Sequence, residues 1–149
     1  MAEQDPQKLS GLQPGDENTK PIRILYVEDT EVIRNIMAQT LEIYGYTVAT
    51  AKNGQEGVEM ALHWKPDLIL MDLRMPVMDG YQAIQAIKVN SKTRHIPIFV
   101  ISAWSSKREQ DQARAAGADA FFVKPTDIKR LDEAIKVAVT TSASAPKLF

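Results

Sequence analysis

Four short, nearly continuous apolar runs punctuate the chain: Ile22-Arg23-Ile24-Leu25-Tyr26-Val27, Asp67-Leu68-Ile69-Leu70-Met71, Ile96-Pro97-Ile98-Phe99-Val100-Ile101 and Ala120-Phe121-Phe122-Val123. Runs of this length without polar alternation predict strands covered on both faces. Tyr46-Thr47-Val48-Ala49-Thr50 mixes polar and apolar residues instead, which predicts an edge strand. Helical spacing fills the intervals. Ile33, Ile36, Met37, Leu41 and Tyr44 fall on one helix face, and Gly45 follows as a stop. Later faces are carried by Val58, Ala61 and Leu62, by Tyr81, Ile84 and Ile87, and by Ile128, Leu131, Ile135 and Ala138. Segment 105–117 differs, because its charged and amide residues leave only alanines to pack, and it is expected to be the most loosely held helix. Five strand–helix units in alternation predict an α/β fold with a doubly wound, mostly parallel sheet and helices on both faces.

Length and composition narrow this picture. The 149 residues have room for one domain, expected over 21–140, with short tails. Residues 1–20 are rich in Gln, Asp, Pro and Gly, with only Leu9 and Leu12 as apolar anchors, and predict a disordered tail; the Ser/Ala-rich end, 141–149, reads as a flexible one. Lys and Arg number 18 against 19 Asp and Glu, so no overall basic field points to nucleic acid. The absence of cysteine removes disulfides, thiolate metal sites and a cysteine nucleophile. With no cationic-then-apolar leader and no stretch long enough to span a bilayer, a soluble cytoplasmic protein without a membrane partner is expected.

Chemistry concentrates at the carboxyl ends of the predicted buried strands, the edge at which open α/β sheets bind ligands. Glu28-Asp29 follows the first run, Asp72 the second, Ser102 the third and Lys124-Pro125 the fourth, with Arg74-Met75-Pro76 beside Asp72. A carboxylate such as Asp72 can attack phosphorus and form an aspartyl-phosphate, provided positive charge is supplied nearby. Adjacent acids beside a third carboxylate repel unless a cation sits among them, and an all-oxygen set with room for water suits Mg²⁺. Lys124 and the Ser102 hydroxyl can meet further phosphoryl oxygens. Taken singly, each residue also has a plain structural reading. Asp29 could cap the helix beginning near Thr30, Ser102 and Lys124 could be solvated strand-end groups, and Phe122 could be core. Met71, Met75 and Met78 are interrupted by Pro76 and read as loop packing rather than a soft-metal site. His63 and His95 are isolated, and Trp64 reads as surface packing.

Together, Glu28-Asp29, Asp72 with Met75-Pro76 and Asp79-Gly80, Ser102-Ala103 and Lys124-Pro125 resemble the receiver domain of bacterial response regulators, over roughly residues 21–140. The resemblance implies a five-stranded flavodoxin-like sheet of order 2-1-3-4-5. It implies that Asp72 accepts a phosphoryl group from the phosphohistidine of a histidine kinase or histidine phosphotransfer protein. Glu28 and Asp29 would hold Mg²⁺ directly or through water, with Asp72 and the main-chain carbonyl of Arg74 completing the protein ligands. Ser102 and Phe122 would switch position, Lys124 would pair with the phosphate, and its bond to Pro125 would be cis. Such a domain is a signalling switch rather than an enzyme acting on other molecules, and works as a monomer or a phosphorylation-dependent dimer. Phe122 stands where many relatives have Tyr, so an inward ring would lack a hydroxyl. Arg74 and Trp104, two residues after Asp72 and Ser102, are bulky groups where family members control water access. With no DNA-binding domain expected, output would pass through protein contacts or phosphate relay to an unknown downstream target.

Three rivals come from other classes. A haloacid dehalogenase-type phosphatase also forms an aspartyl-phosphate with Mg²⁺, but needs an acid/base two residues after the nucleophile, where this chain has Arg74. A flavin or dinucleotide module cradles phosphate with glycines after the first strand, where Glu28-Asp29-Thr30-Glu31 would repel it. A degenerate receiver would serve only as an interaction domain.

Overall fold

The computed structural model describes residues 20–141; nearly all of both expected tails lies outside that range. Strands β1 (Arg23–Val27), β2 (Thr47–Ala51), β3 (Leu68–Met71), β4 (Ile98–Ser102) and β5 (Ala120–Val123) alternate with helices α1 (Glu31–Ile43), α2 (Gly54–Trp64), α3 (Gly80–Val89), α4 (Lys107–Ala116) and α5 (Ile128–Thr141). The sheet is wholly parallel, in the order β2-β1-β3-β4-β5, as the alternation and the resemblance implied. Because successive side chains on a strand point to opposite faces, the apolar runs feed two cores. Leu25, Val27, Ile69, Met71 and Val100 pack with Ala61 of α2, Ile84 and Ile87 of α3, and Ala113 and Ala116 of α4. Ile24, Tyr26, Leu68, Leu70, Phe99 and Ile101 face Leu41 of α1 and Leu131, Ile135 and Ala138 of α5.

The helix ends follow local chemistry. Asn53 accepts the Glu56 amide at 2.8 Å to start α2. Asp79 and Gln82 form a reciprocal capping box at the start of α3, each side chain meeting the other's backbone N–H. Gly45 ends the α1 connection at φ +99°, in the left-handed region that glycine enters freely. The apolar face of α1 is only partly used for packing. Of its stripe only Leu41 is fully buried; Ile36 stands largely in solvent together with Val32, and Ile33 is 39% exposed. The reason is position, since the contacts of α1 with the core come from Met37 and Leu41 in its second half and from Tyr44 at its C-cap, while its first turns project by the carboxyl edge of the sheet. Helix α4 buries only alanines, Ala113 and Ala116.

Candidate functional site

Hydrogen-bond ladders carry the predicted residues just beyond the strand ends. The Glu28 amide donates to Ala51 O at 3.0 Å, the Asp72 amide to Val27 O at 3.1 Å, and the Lys124 amide to Ser102 O at 2.9 Å. The chain therefore leaves β1, β3 and β5 still tied to its neighbours, and Glu28, Asp72 and Lys124 converge on one edge. Each of Glu28, Asp29 and Asp72 offers a carboxylate oxygen within 4.8 Å of the others. The Lys124 ammonium lies 2.7 Å from Glu28 Oε1 and 3.8 Å from Asp72 Oδ2. Three carboxylates thus cluster about one ammonium that reaches two of them, Glu28 and Asp72.

Protonation follows from that imbalance. Burial pushes the Asp72 carboxyl up to about 6, with the Glu28 charge adding to the effect and Lys124 opposing it. Asp29 is raised by desolvation and by its bond and charge interaction with Glu28. For Glu28, burial pulls upward, but the Lys124 ammonium, the Thr30 amide and the Tyr26 hydroxyl outweigh it and hold the carboxyl below its ordinary value. The set fits a hard divalent cation: all donors are oxygen, two of the three acids are destabilised as anions, and Asp29 is exposed, leaving room for water.

The remaining residues frame the cluster. Asp72 Oδ1 accepts the Leu73 amide at 2.8 Å. Ser102 is fully buried, and its Oγ accepts the Trp104 amide at 3.0 Å. Phe122 already lies in the core, its ring centroid 5.5 Å from that of Phe99, with the Arg130 guanidinium 5.7 Å from its ring. The Lys124–Pro125 bond is cis. Arg74 points outward, stacks 4.5 Å over Trp104 and reaches Glu109 Oε2 at 2.8 Å, so the loops after β3 and β4 meet above the site. Asp29 is not a helix cap: Thr30 occupies the N-cap of α1 and no side chain caps that end. Between Pro76 and Asp79 the chain turns tightly, with Val77 at φ 71° and the Met78 amide donating to Pro76 O at 2.8 Å.

Residues 24–136 match the family described as the response regulator receiver domain. The chain belongs to that family. The receiver is 32% identical over 116 residues to the polar-differentiation response regulator DivK of Brucella anthropi, covering 78% of this chain and 94% of that protein. It is 45% identical over 121 residues to the transcriptional regulatory protein PdtaR of Mycobacterium tuberculosis, covering 80% of this chain but 58% of PdtaR. Among solved structures, the receiver domain of the sensor histidine kinase PA1611 from Pseudomonas aeruginosa superposes with a TM-score of 0.76 at 29% identity, over 81% of this chain and 99% of that one; it carries a magnesium ion coordinated in its active-site cleft. The Vibrio cholerae chemotaxis protein CheY4 superposes with a TM-score of 0.74 at 30% identity, over 78% and 98%.

Sequence reasoning passed over several residues of the receiver's site. Tyr26 donates to Glu28 Oε1 at 3.1 Å, the Thr30 amide to Glu28 Oε2 at 3.1 Å, and Arg34 Nη1 to the Glu28 carbonyl at 2.9 Å. Tyr26 was within reach of inference, because residues two apart on a strand share a face. Arg34 and the Arg74 partner Glu109 depend on loop paths that periodicity does not specify.

Proposed function

We propose that this receiver is a phosphorylation switch in which Asp72 takes a phosphoryl group from the phosphohistidine of a histidine kinase or histidine phosphotransfer protein. The carrying observation is the cluster of Glu28, Asp29 and Asp72 with Lys124 at the carboxyl edge of the sheet. Because Leu73 N–H holds Oδ1, Oδ2 is the freer oxygen and serves as the nucleophile. A new P–O bond forms to Asp72 as the P–N bond of the donor breaks, its electron pair returning to the imidazole nitrogen. Glu28, Asp29, Asp72 and the Arg74 main-chain carbonyl would hold Mg²⁺, which when bound neutralises carboxylate and phosphoryl charge. Lys124 leaves Glu28 for a phosphoryl oxygen, and the Ser102 hydroxyl donates to another.

The partner follows from the surface around the mouth. Val32, Ile33 and Ile36 on α1 are exposed apolar residues beside the acids, and they suit the docking of a phosphohistidine-bearing helix. Output is carried by the face of α4, β5 and α5: α4 follows the strand that ends at Ser102, β5 carries Phe122, and α5 follows Lys124. Folding boundaries near residues 21 and 140 are part of the same reading, consistent with a family match over 24–136. Intact-mass measurement after incubation with acetyl phosphate tests the proposal: one phosphoryl group is gained with Mg²⁺ and none when EDTA is in excess. Equal gain with EDTA would remove the metal from the reading.

A further inference from the structure

Tyr26 is fully buried in the core between the sheet and helices α1 and α5, yet it carries a hydroxyl into that core. Phenylalanine would fill the same volume without a polar atom, whereas a buried phenol needs a partner. Its hydrogen-bond partner is Oε1 of Glu28, 3.1 Å away, and Glu28 is itself only 1% exposed. The hydroxyl therefore acts on the acid cluster.

The distribution of donors makes its role specific. Glu28 Oε2 receives the Thr30 amide, while Oε1 receives both Tyr26 Oη and Lys124 Nζ. Lys124 sits between two acids, closer to Glu28 than to Asp72. Once it turns toward a phosphoryl group on Asp72, Oε1 would be a buried anionic oxygen with no side-chain donor, unless Tyr26 stays. A fully buried Tyr26 ring, paired across the sheet with Leu70 and part of the same core cluster as Leu41, cannot follow Lys124 away.

We propose that Tyr26 is a positioning residue of the phosphoacceptor site: its hydroxyl holds the Glu28 carboxylate toward Asp29 and Asp72 and remains its donor when Lys124 leaves. This rests on the reading of the cluster as a Mg²⁺-dependent phosphoacceptor. Groups that hydrogen-bond a metal-ligating carboxylate fix its orientation, and their loss typically weakens metal binding about 10–100-fold.

Calorimetric titration of the metal-free full chain with MgCl₂ compares wild type, Tyr26→Phe and Tyr46→Phe. Tyr46 is the control, because its hydroxyl bonds the Asp132 carboxylate on α5, outside the acid cluster. Wild type and Tyr46→Phe are expected to bind alike, and Tyr26→Phe about tenfold more weakly. Tyr26→Phe binding within about twofold of wild type would overturn the inference while leaving the phosphoacceptor reading intact. Failure of wild type to bind Mg²⁺ would overturn both. A measurement needing no variant uses isotope-labelled tyrosine in the wild-type chain: MgCl₂ is expected to shift the NMR signal of the Tyr26 ring carbon bearing the hydroxyl and to leave that of Tyr46 in place. An unmoved Tyr26 signal under saturating Mg²⁺ would also contradict the proposal.

Discussion

Asp72 is held in a state that ordinary proteins avoid. A buried carboxylate next to Glu28 is costly as an anion, which is why its carboxyl is pushed up to about 6. With the folded value above the unfolded 3.8, the native chain binds the extra proton between them, so this group's stabilising contribution is complete below 3.8 and lost as pH rises through about 6. Asp72→Asn is neutral at every pH. In metal-free buffer the variant should therefore be more stable than wild type at pH 8, by about 1–3 kcal/mol, with the gap closing below about pH 4. Urea melts across that range check the sign; a gap that widened toward acid would mean that Asp72 is stabilised as an anion by Lys124. At this scale the sequence was informative about identity and weaker about pairing. The three acids and the lysine were legible because each follows an apolar run. The attachment of Lys124 to Glu28, and of Ser102 to the Trp104 amide, depends on side-chain geometry within a level of the sheet, which spacing along the chain does not encode.

Among the elements, the join between β3 and α3 does most to fix the site. Gly80 begins α3 directly against the carboxyl end of β3: a Cβ there would lie 2.2 Å from the Asp72 carbonyl oxygen and 2.7 Å from Leu73 Cα. Both are backbone atoms that cannot rotate aside. Gly80→Ala should lower stability by about 2–3 kcal/mol, read as a reduced urea midpoint with unchanged slope. An unchanged midpoint would show that the loop yields without strain. Asp79-Gly80 was legible in the sequence as part of a motif, and the structure separates the two residues physically, since Asp79 closes a capping box while Gly80 permits backbone contact. Strand positions were legible to within two residues because apolar runs covered on both faces have few alternatives. How far burial runs along the α1 face was not legible, because periodicity reports amphipathic shape and says nothing of how far a helix extends past the sheet it covers.

For the molecule as a whole, parallel topology places every strand's carboxyl end on one edge, and the order β2-β1-β3-β4-β5 puts β1 beside β3 at its centre. That adjacency brings Glu28 and Asp29 to Asp72, 43 residues beyond Asp29 in sequence. The alternation of elements was enough to infer a parallel sheet, but strand order came from the resemblance, since local periodicity is the same for any permutation. Among the described residues no helix is long and apolar enough to cross a membrane. In the proposed switch the acid cluster serves one nucleophile, Asp72. This reading is tested most directly by treating wild type and Asp72→Asn with acetyl phosphate and Mg²⁺ and measuring intact mass. Wild type should gain one phosphoryl group and Asp72→Asn none, although the variant folds; the same gain in Asp72→Asn at the wild-type rate would contradict the account.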